Sequence, residues 1–220
     1  MNSENYSANN KVFLMGEVTS QPHYSHELFG EGFYEFFMSV PRLSGSVDEL
    51  PVTVSERLIT DEIKVGQKIA LIGQFRSYNK LENEKSKLML TVFVRDFLPY
   101  CQDEQNPNTA ELNGYICKPP VYRTTPFNRE ICDLLIAVNR GYNKSDYIPC
   151  IAWGRNARFV KNAKVGQNIQ ISGRIQSRKY IKRIDEETTQ ERTAYELSVN
   201  KITCDTAICE TASSVIPDEE

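Results

Sequence analysis

Apolar and polar residues alternate strictly through Asn168-Ile169-Gln170-Ile171-Ser172-Gly173-Arg174-Ile175-Gln176, the period-two mark of a strand that buries one face. Segments of the same character predict strands over Thr109–Ile116, Ile131–Asn139, Tyr147–Trp153 and Ala194–Lys201 in the second half of the chain. Arg155–Ala163, between the third and fourth of these, is the one short stretch that reads as helix. The first half gives the same order: Lys11–Val18, Phe33–Pro41, Leu50–Ser55, Lys68–Tyr78 and Lys87–Asp96. Five strands with a short helix between the third and fourth is the order of an OB barrel. The pattern therefore predicts an all-β chain of two tandem five-stranded OB barrels, each with that short helix.

An internal duplication supports the reading. Tyr34-Glu35-Phe36-Phe37-Met38-Ser39-Val40-Pro41-Arg42 has the pattern of Cys132-Asp133-Leu134-Leu135-Ile136-Ala137-Val138-Asn139-Arg140, 98 positions later. The same offset carries Gly16 onto Gly114, Pro22 onto Pro120, and Leu50-Pro51-Val52 onto Ile148-Pro149-Cys150. Two further residues in the second copy bring Val65-Gly66-Gln67 onto Val165-Gly166-Gln167 and Gly73 onto Gly173. A repeat of this length is a duplicated domain, not a small solenoid unit. The predicted limits are 10–100 for the first domain, 101–108 for a polar, proline-bearing linker, 109–205 for the second domain and 206–220 for an acidic tail.

Comparing the copies separates buried from exposed faces. Ile148, Cys150 and Ala152 share one face of the third strand, and Tyr147, Pro149, Ile151 and Trp153 the other. The plain alternative for a Tyr and a Trp here is core packing. In the first copy the second face carries Glu49, Pro51, Thr53 and Ser55, and a position that tolerates Glu49 is not deep core. Tyr147 and Trp153 are thus expected on an accessible face. On the fourth strand Ile169, Ile171 and Ile175 point inward. Asn168, Gln170, Ser172, Arg174, Gln176 and Arg178 then point outward, with Tyr180 and Lys182 in phase. Rings interleaved with cations suit a single strand of nucleic acid, by stacking bases and pairing phosphates; a solvated basic edge strand is the plainer alternative.

Charge sharpens the asymmetry. The net charge of −3 divides into −5 over residues 1–105, +6 over 106–205 and −4 over 206–220. A basic second domain fits a phosphate backbone. No run of apolar residues is long enough for a membrane helix, and the N-terminus lacks the pattern of a secretory signal. The six cysteines form no C-x-x-C pair and histidine occurs only as His23 and His26, so neither a metal site nor any cofactor is expected. Cys132 and Cys150 read as buried free thiols, and the two histidines as solvated residues of a loop after the first strand. No phosphate loop, metal-hydrolase motif or nucleophile–base pairing is present, so no catalytic residues are expected and the chain reads as non-enzymatic. The cluster Asp185-Glu186-Glu187 reads as a solvated turn.

Ala137-Val138-Asn139-Arg140, Ile151-Ala152-Trp153-Gly154-Arg155-Asn156-Ala157, Lys164-Val165-Gly166-Gln167 and Ile171 to Tyr180 together resemble bacterial single-stranded DNA-binding proteins, over roughly residues 109–202. Residues 10–97 share the framework as a weaker match. The resemblance implies that bases stack on Tyr142, Tyr147, Trp153 and Tyr180. Candidate phosphate contacts are Arg140, Lys144, Arg155, Arg174, Arg178, Lys179, Lys182 and Arg183. The matching positions of the first copy are Ser44, Glu49, Ser55 and Lys80, with Tyr78 nearby, so that copy is expected to lack the stacking platform. The family works with four barrels, which implies a homodimer of this chain on single-stranded DNA, in the bacterial cytoplasm and on the nucleoid, serving replication, recombination or repair. Its members recruit replication and repair proteins through an acidic tail with an Ile-Pro-Phe-like tip; this chain has the acid in Ile216-Pro217-Asp218-Glu219-Glu220 but no terminal Phe. The competing expectation is an OB-fold adaptor of a primosome or mobile element that binds proteins and little or no DNA.

Overall fold

A computed structural model of the chain describes residues 9–82, 85–183 and 189–203. Twelve strands form one continuous sheet that closes twice. The first barrel contains β1 (Asn10–Val18), β2 (His23–Leu28), β3 (Glu31–Pro41), β4 (Val47–Ser55), β5 (Lys68–Glu82) and β6 (Lys85–Leu98). The second contains β7 (Asn108–Ile116), β8 (Val121–Thr124), β9 (Glu130–Arg140), β10 (Lys144–Trp153), β11 (Asn168–Arg183) and β12 (Thr189–Thr203). Each barrel closes where its first strand pairs with its long strand and also with the end of its third, β1 with β5 and β3, and β7 with β11 and β9. A parallel pairing, β4 with β6 and β10 with β12, completes each wall.

The predicted strands are all present, several of them longer. The fourth and fifth run on as hairpins, β5–β6 and β11–β12, beyond the end of the apolar alternation. Two short edge strands, β2 and β8, come in addition. His23 and His26, expected in a loop, therefore lie on β2, and the His26 ring stacks on Phe33 at 5.0 Å. The helix of the second barrel, α1, spans Arg155–Val160 and buries Ala157 and Val160. In the first barrel the equivalent is a single 3-10 turn, Glu56–Leu58, capped by the Ser55 hydroxyl. Gly154 and Gly173 are each required by geometry. Gly154, at φ 50°, turns the chain from Trp153 into α1. A Cβ on Gly173 would stand 2.1 Å from the Ser198 carbonyl oxygen, at a bulge where β11 bends around the barrel.

The core follows the alternation. Leu14, Phe36, Leu50, Val52, Leu71 and Phe75 fill the first barrel; Leu112, Ile136, Ile148, Ile169, Ile171 and Ile175 fill the second, all buried. Cys132 and Cys150 are buried free thiols, as expected. Burial pushes the Cys132 pKa up to about 11 and that of Cys150 well above its ordinary value.

The barrels are joined by a pseudo-twofold. β1 and β7 run antiparallel with Val12 opposite Ala110, duplicated positions, and Asn10 opposite Leu112 is mirrored by Leu14 opposite Asn108. On either side of this axis the long strand of one barrel grips the other barrel. The Ser77 N–H donates to Asp146 Oδ1 at 2.8 Å, and the Tyr147 N–H donates to Ser77 Oγ at 2.7 Å. The Ser177 N–H donates to Asp48 Oδ1 at 2.7 Å, and the Glu49 N–H donates to Ser177 Oγ at 3.2 Å. Asp48 and Asp146 are both buried. The acidic and basic halves are therefore joined by strand pairing and by a hydrogen-bonded grip on each side of the axis.

Candidate nucleic-acid interface

β10 places two of the four predicted rings. Its inward residues Ile148, Cys150 and Ala152 are buried, which turns Tyr147 and Trp153 to the other face. Tyr147 is 44% exposed. Trp153, at the strand end, is half-buried, and its Nε1–H donates to Ser198 Oγ at 3.2 Å. Ile151, expected between them on the same face, is buried. Tyr142 stands in the turn before β10 with 99% of its surface exposed. It and Asn143 have left-handed φ of 61° and 54°, a conformation that costs free energy and holds the ring at the loop tip. Tyr180 lies further along β11, in the projecting half of the hairpin, and is 37% exposed, with the Arg178 guanidinium 5.8 Å from its centroid.

The predicted cations fall into two groups. Lys144, Arg155 and Lys182 are exposed and form no ion pair among the described residues; Arg183 is exposed at the end of β11. Arg178 and Lys179 are exposed but carry partners, Glu196 at 3.7 Å and Glu191 at 3.0 Å. The Lys179 pair is open to solvent, weak, and exchanges readily for phosphate, whereas the Glu196 that faces Arg178 is itself buried.

Three of the residues expected to face outward are engaged within the protein instead. Arg174 is engaged at the barrel junction, where its Nη1 donates to Asp48 Oδ2 at 3.1 Å, because β11 bends across to pack on β4. Arg140 is half-buried and lies 3.5 Å from Asp146. Gln176, expected outward, is buried and donates to Glu196 Oε1 at 2.7 Å. A concave pocket of about 390 Å³ opens on the first barrel between Pro22, Tyr34, Ile63 and the carboxylates of Glu56 and Glu62. No predicted contact residue lines it, and its charge is wrong for phosphate.

Residues 107–205 match the family model described as the single-strand binding protein family. That segment coincides with the second barrel, and the likeness to the family lies there. Single-stranded DNA-binding protein 1 of Streptococcus pyogenes serotype M18 is 38% identical over 80 residues, which cover 33% of this chain and 62% of that protein. Single-stranded DNA-binding protein A of Bacillus subtilis strain 168 is 35% identical over 80 residues, 33% of this chain and 46% of that protein. The chain thus spans about half the length of the curated relatives it matches. Both barrels together resemble the crystal structure of a deletion variant of the single-stranded DNA binding protein from Thermus aquaticus, with a TM-score of 0.67 and 19% identity over 97% of this chain and all of that one. That likeness establishes the tandem fold. Tyr142, Tyr147, Trp153 and Tyr180 all lie inside the segment that the single-strand binding model matches.

The first barrel holds aromatic residues that comparison by motif overlooked. Exposed His26, buried Phe33 and half-buried Phe93 form a row of rings running in from its surface, with Phe33 and Phe93 centroids 5.7 Å apart. The guanidiniums of Arg76 and Arg95 stand 3.7 and 5.7 Å from the Phe93 centroid. In a linear reading Phe93 sits in the run Leu88 to Val94, where Thr91 is the one polar residue that marks its face. The register opposite Gln74 reveals it.

Proposed function

We propose that the chain binds single-stranded DNA without sequence preference and protects it during replication, recombination or repair, without catalysis of its own. The observation that carries this is the set of four rings on one barrel, alternating with exposed Lys144, Arg155, Arg178 and Lys182, within the family-matched segment. Every base offers a face for stacking, so the arrangement is sequence-tolerant, and the cations contact the phosphates between stacked bases. Lys179 and Arg183 extend the cationic path along β11, while Arg140 acts where the path meets the junction. Each chain supplies two barrels, and two chains would supply the four with which the family works. Among the described residues no helix is long and apolar enough to cross a membrane; the proposed place of action is the cytoplasm, on the nucleoid. The acidic segment 206–220, proposed to recruit replication or repair proteins, lies outside the described residues, as do Cys204, Cys209 and the Asp185-Glu186-Glu187 cluster.

Trp153 is the single tryptophan, so its fluorescence reports directly on oligo-dT binding. Stacking contributes about 1–3 kcal/mol per base, and Trp153→Ala with Tyr180→Ala is expected to weaken poly-dT binding at least tenfold. Light scattering is expected to give twice the 25.2 kDa chain mass. Unchanged affinity in the double variant refutes the stacking assignment, and absence of any quench at low salt favours the protein-adaptor reading.

A further inference from the structure

We propose that the first barrel carries a nucleic-acid contact of its own, in which Phe93 stacks a base and Arg76 and Arg95 hold the adjoining phosphates. The inference rests on the single-strand-binding reading above and adds a second point of contact to it.

Phe93 lies opposite Gln74 just past the Gly73 bulge, and Ser198 lies opposite Arg174 just past the Gly173 bulge, so Phe93 and Ser198 are equivalent. Ser55 and Trp153 are equivalent in the same way, ending β4 and β10 opposite Phe33 and Ile131. In the second barrel the large ring ends the third wall strand and rests its N–H on the small Ser198. In the first barrel the sizes are exchanged: Ser55 is small and Phe93 supplies the ring. The aromatic layer has moved one strand over, which is why residue-by-residue comparison registers a loss.

Charge around the ring points to an anionic ligand. Arg76 and Arg95 both donate to a single neutral acceptor, Gln74 Oε1, at 2.8 and 3.3 Å, and neither has an ion pair among the described residues. Burial first, then the charges of Arg95 and Arg140, lower the Arg76 pKa to about 9, with only Asp146 acting the other way. It remains cationic at neutral pH. Arg76 and Arg140 thus share one buried carboxylate, Asp146, and Arg95 adds a third positive charge beside Arg76. The second barrel neutralises the same place itself: Gln176 replaces Arg76, Glu196 replaces Thr91, and Glu196 serves both Gln176 and Arg178. Guanidinium forks bind phosphate oxygens bidentately. Arg76 already lies on the ring, so a base enters on the side of the exposed, more distant Arg95.

The test uses the full chain and an oligo-dT of about 35 nucleotides, long enough for two folds at up to about 16 each. Each phosphate contact contributes roughly 0.7 to the log–log salt slope of a single strand. Arg95→Gln is expected to lower the slope by about 0.7, and Arg76→Gln with Arg95→Gln by about 1.4, with at least a fivefold loss of affinity. Arg95→Lys should restore the slope. Arg95 is exposed, so its single variant keeps the experiment decisive if the double variant folds poorly. Ultraviolet cross-linking to the oligomer should capture the peptide containing Phe93, and Phe93→Leu should abolish that adduct. An unchanged slope in Arg95→Gln, with cross-links confined to the second barrel, overturns this proposal and leaves single-strand binding intact. No binding by the unaltered chain at low salt overturns both.

Discussion

Asp48→Ala tests whether the two barrels act as one body. Asp48 is fully buried and is the acceptor for both sides of the junction. From its own barrel Arg42 donates through Nε at 2.7 Å and through Nη2; from the other barrel come Arg174 Nη1 at 3.1 Å, the Ser177 N–H at 2.7 Å and the Ser177 hydroxyl at 3.3 Å. Alanine leaves two guanidiniums facing each other without a counter-charge and the Ser177 N–H without an acceptor. Removing one partner of a buried ion pair costs about 3–5 kcal/mol. With an m-value of about 3 kcal/mol/M in urea, the midpoint should fall by about 1–1.7 M. Trp153 fluorescence follows the second barrel and far-ultraviolet dichroism follows both. The two transitions should coincide in the unaltered chain and separate in the variant. A midpoint shift under about 0.3 M, with coincident transitions, would show that β1–β7 pairing alone holds the barrels together and would refute the clasp.

Asp146, at the equivalent position, should respond differently. Burial raises its pKa, and the Ser77 N–H, Arg140 and Arg76 oppose the rise only in part. Its stability contribution is therefore present below the ordinary carboxylate range and is lost as pH rises through the folded pKa. Asp146→Asn should be neutral or slightly stabilising at pH 7, whereas Asp48→Asn should cost roughly 1.5–3 kcal/mol; equal urea midpoints for the two would contradict the asymmetry. Cys132 and Cys150 should resist alkylation in the native protein while exposed Cys101 reacts. Because the folded Cys132 pKa is about 11, stability should decline between pH 9 and 11, and Cys132→Ala should flatten that decline in urea titrations.

Much of the fold was legible because its core obeys a period of two. Ile169, Ile171 and Ile175 gave β11 its inward face, and the repeat of the pattern after 98 residues gave the second barrel. Rings at strand ends and turns, Tyr142, Tyr147 and Trp153, were legible through motif and alternation together. What escaped is long-range. The outer face of β11 reads as uniformly solvent-facing, yet the other barrel claims Arg174 and Ser177, and Gln176 is buried against Glu196 of its own barrel. β2 is short and polar, and its assignment depends on pairing with β3, which local pattern does not encode. Phe93 was masked because a buried-looking apolar run conceals a bulge: the irregularity at Ile72/Gly73 sets which residue of β6 faces outward.

Fusion of the two copies explains how such asymmetry can exist. In a symmetric dimer each substitution falls on both sides of the interface, so a contact must satisfy itself under the twofold. Within one chain the two sides are separate positions. The serine–aspartate grip has been kept on both, as Ser177 on Asp48 and Ser77 on Asp146, whereas the side chains around it have diverged. One long strand presents Arg174 and Gln176, the other Gln74 and Arg76, so arginine and glutamine have traded places along the strand. At one junction Arg174 and Arg42 share a carboxylate that meets both; at the other Arg76 lies among Arg95 and Arg140 without a carboxylate of its own. The first junction is electrostatically closed and serves assembly. The second retains unspent positive charge beside a ring, on the barrel whose overall charge is negative, so local arrangement rather than net charge decides where a phosphate backbone would be held.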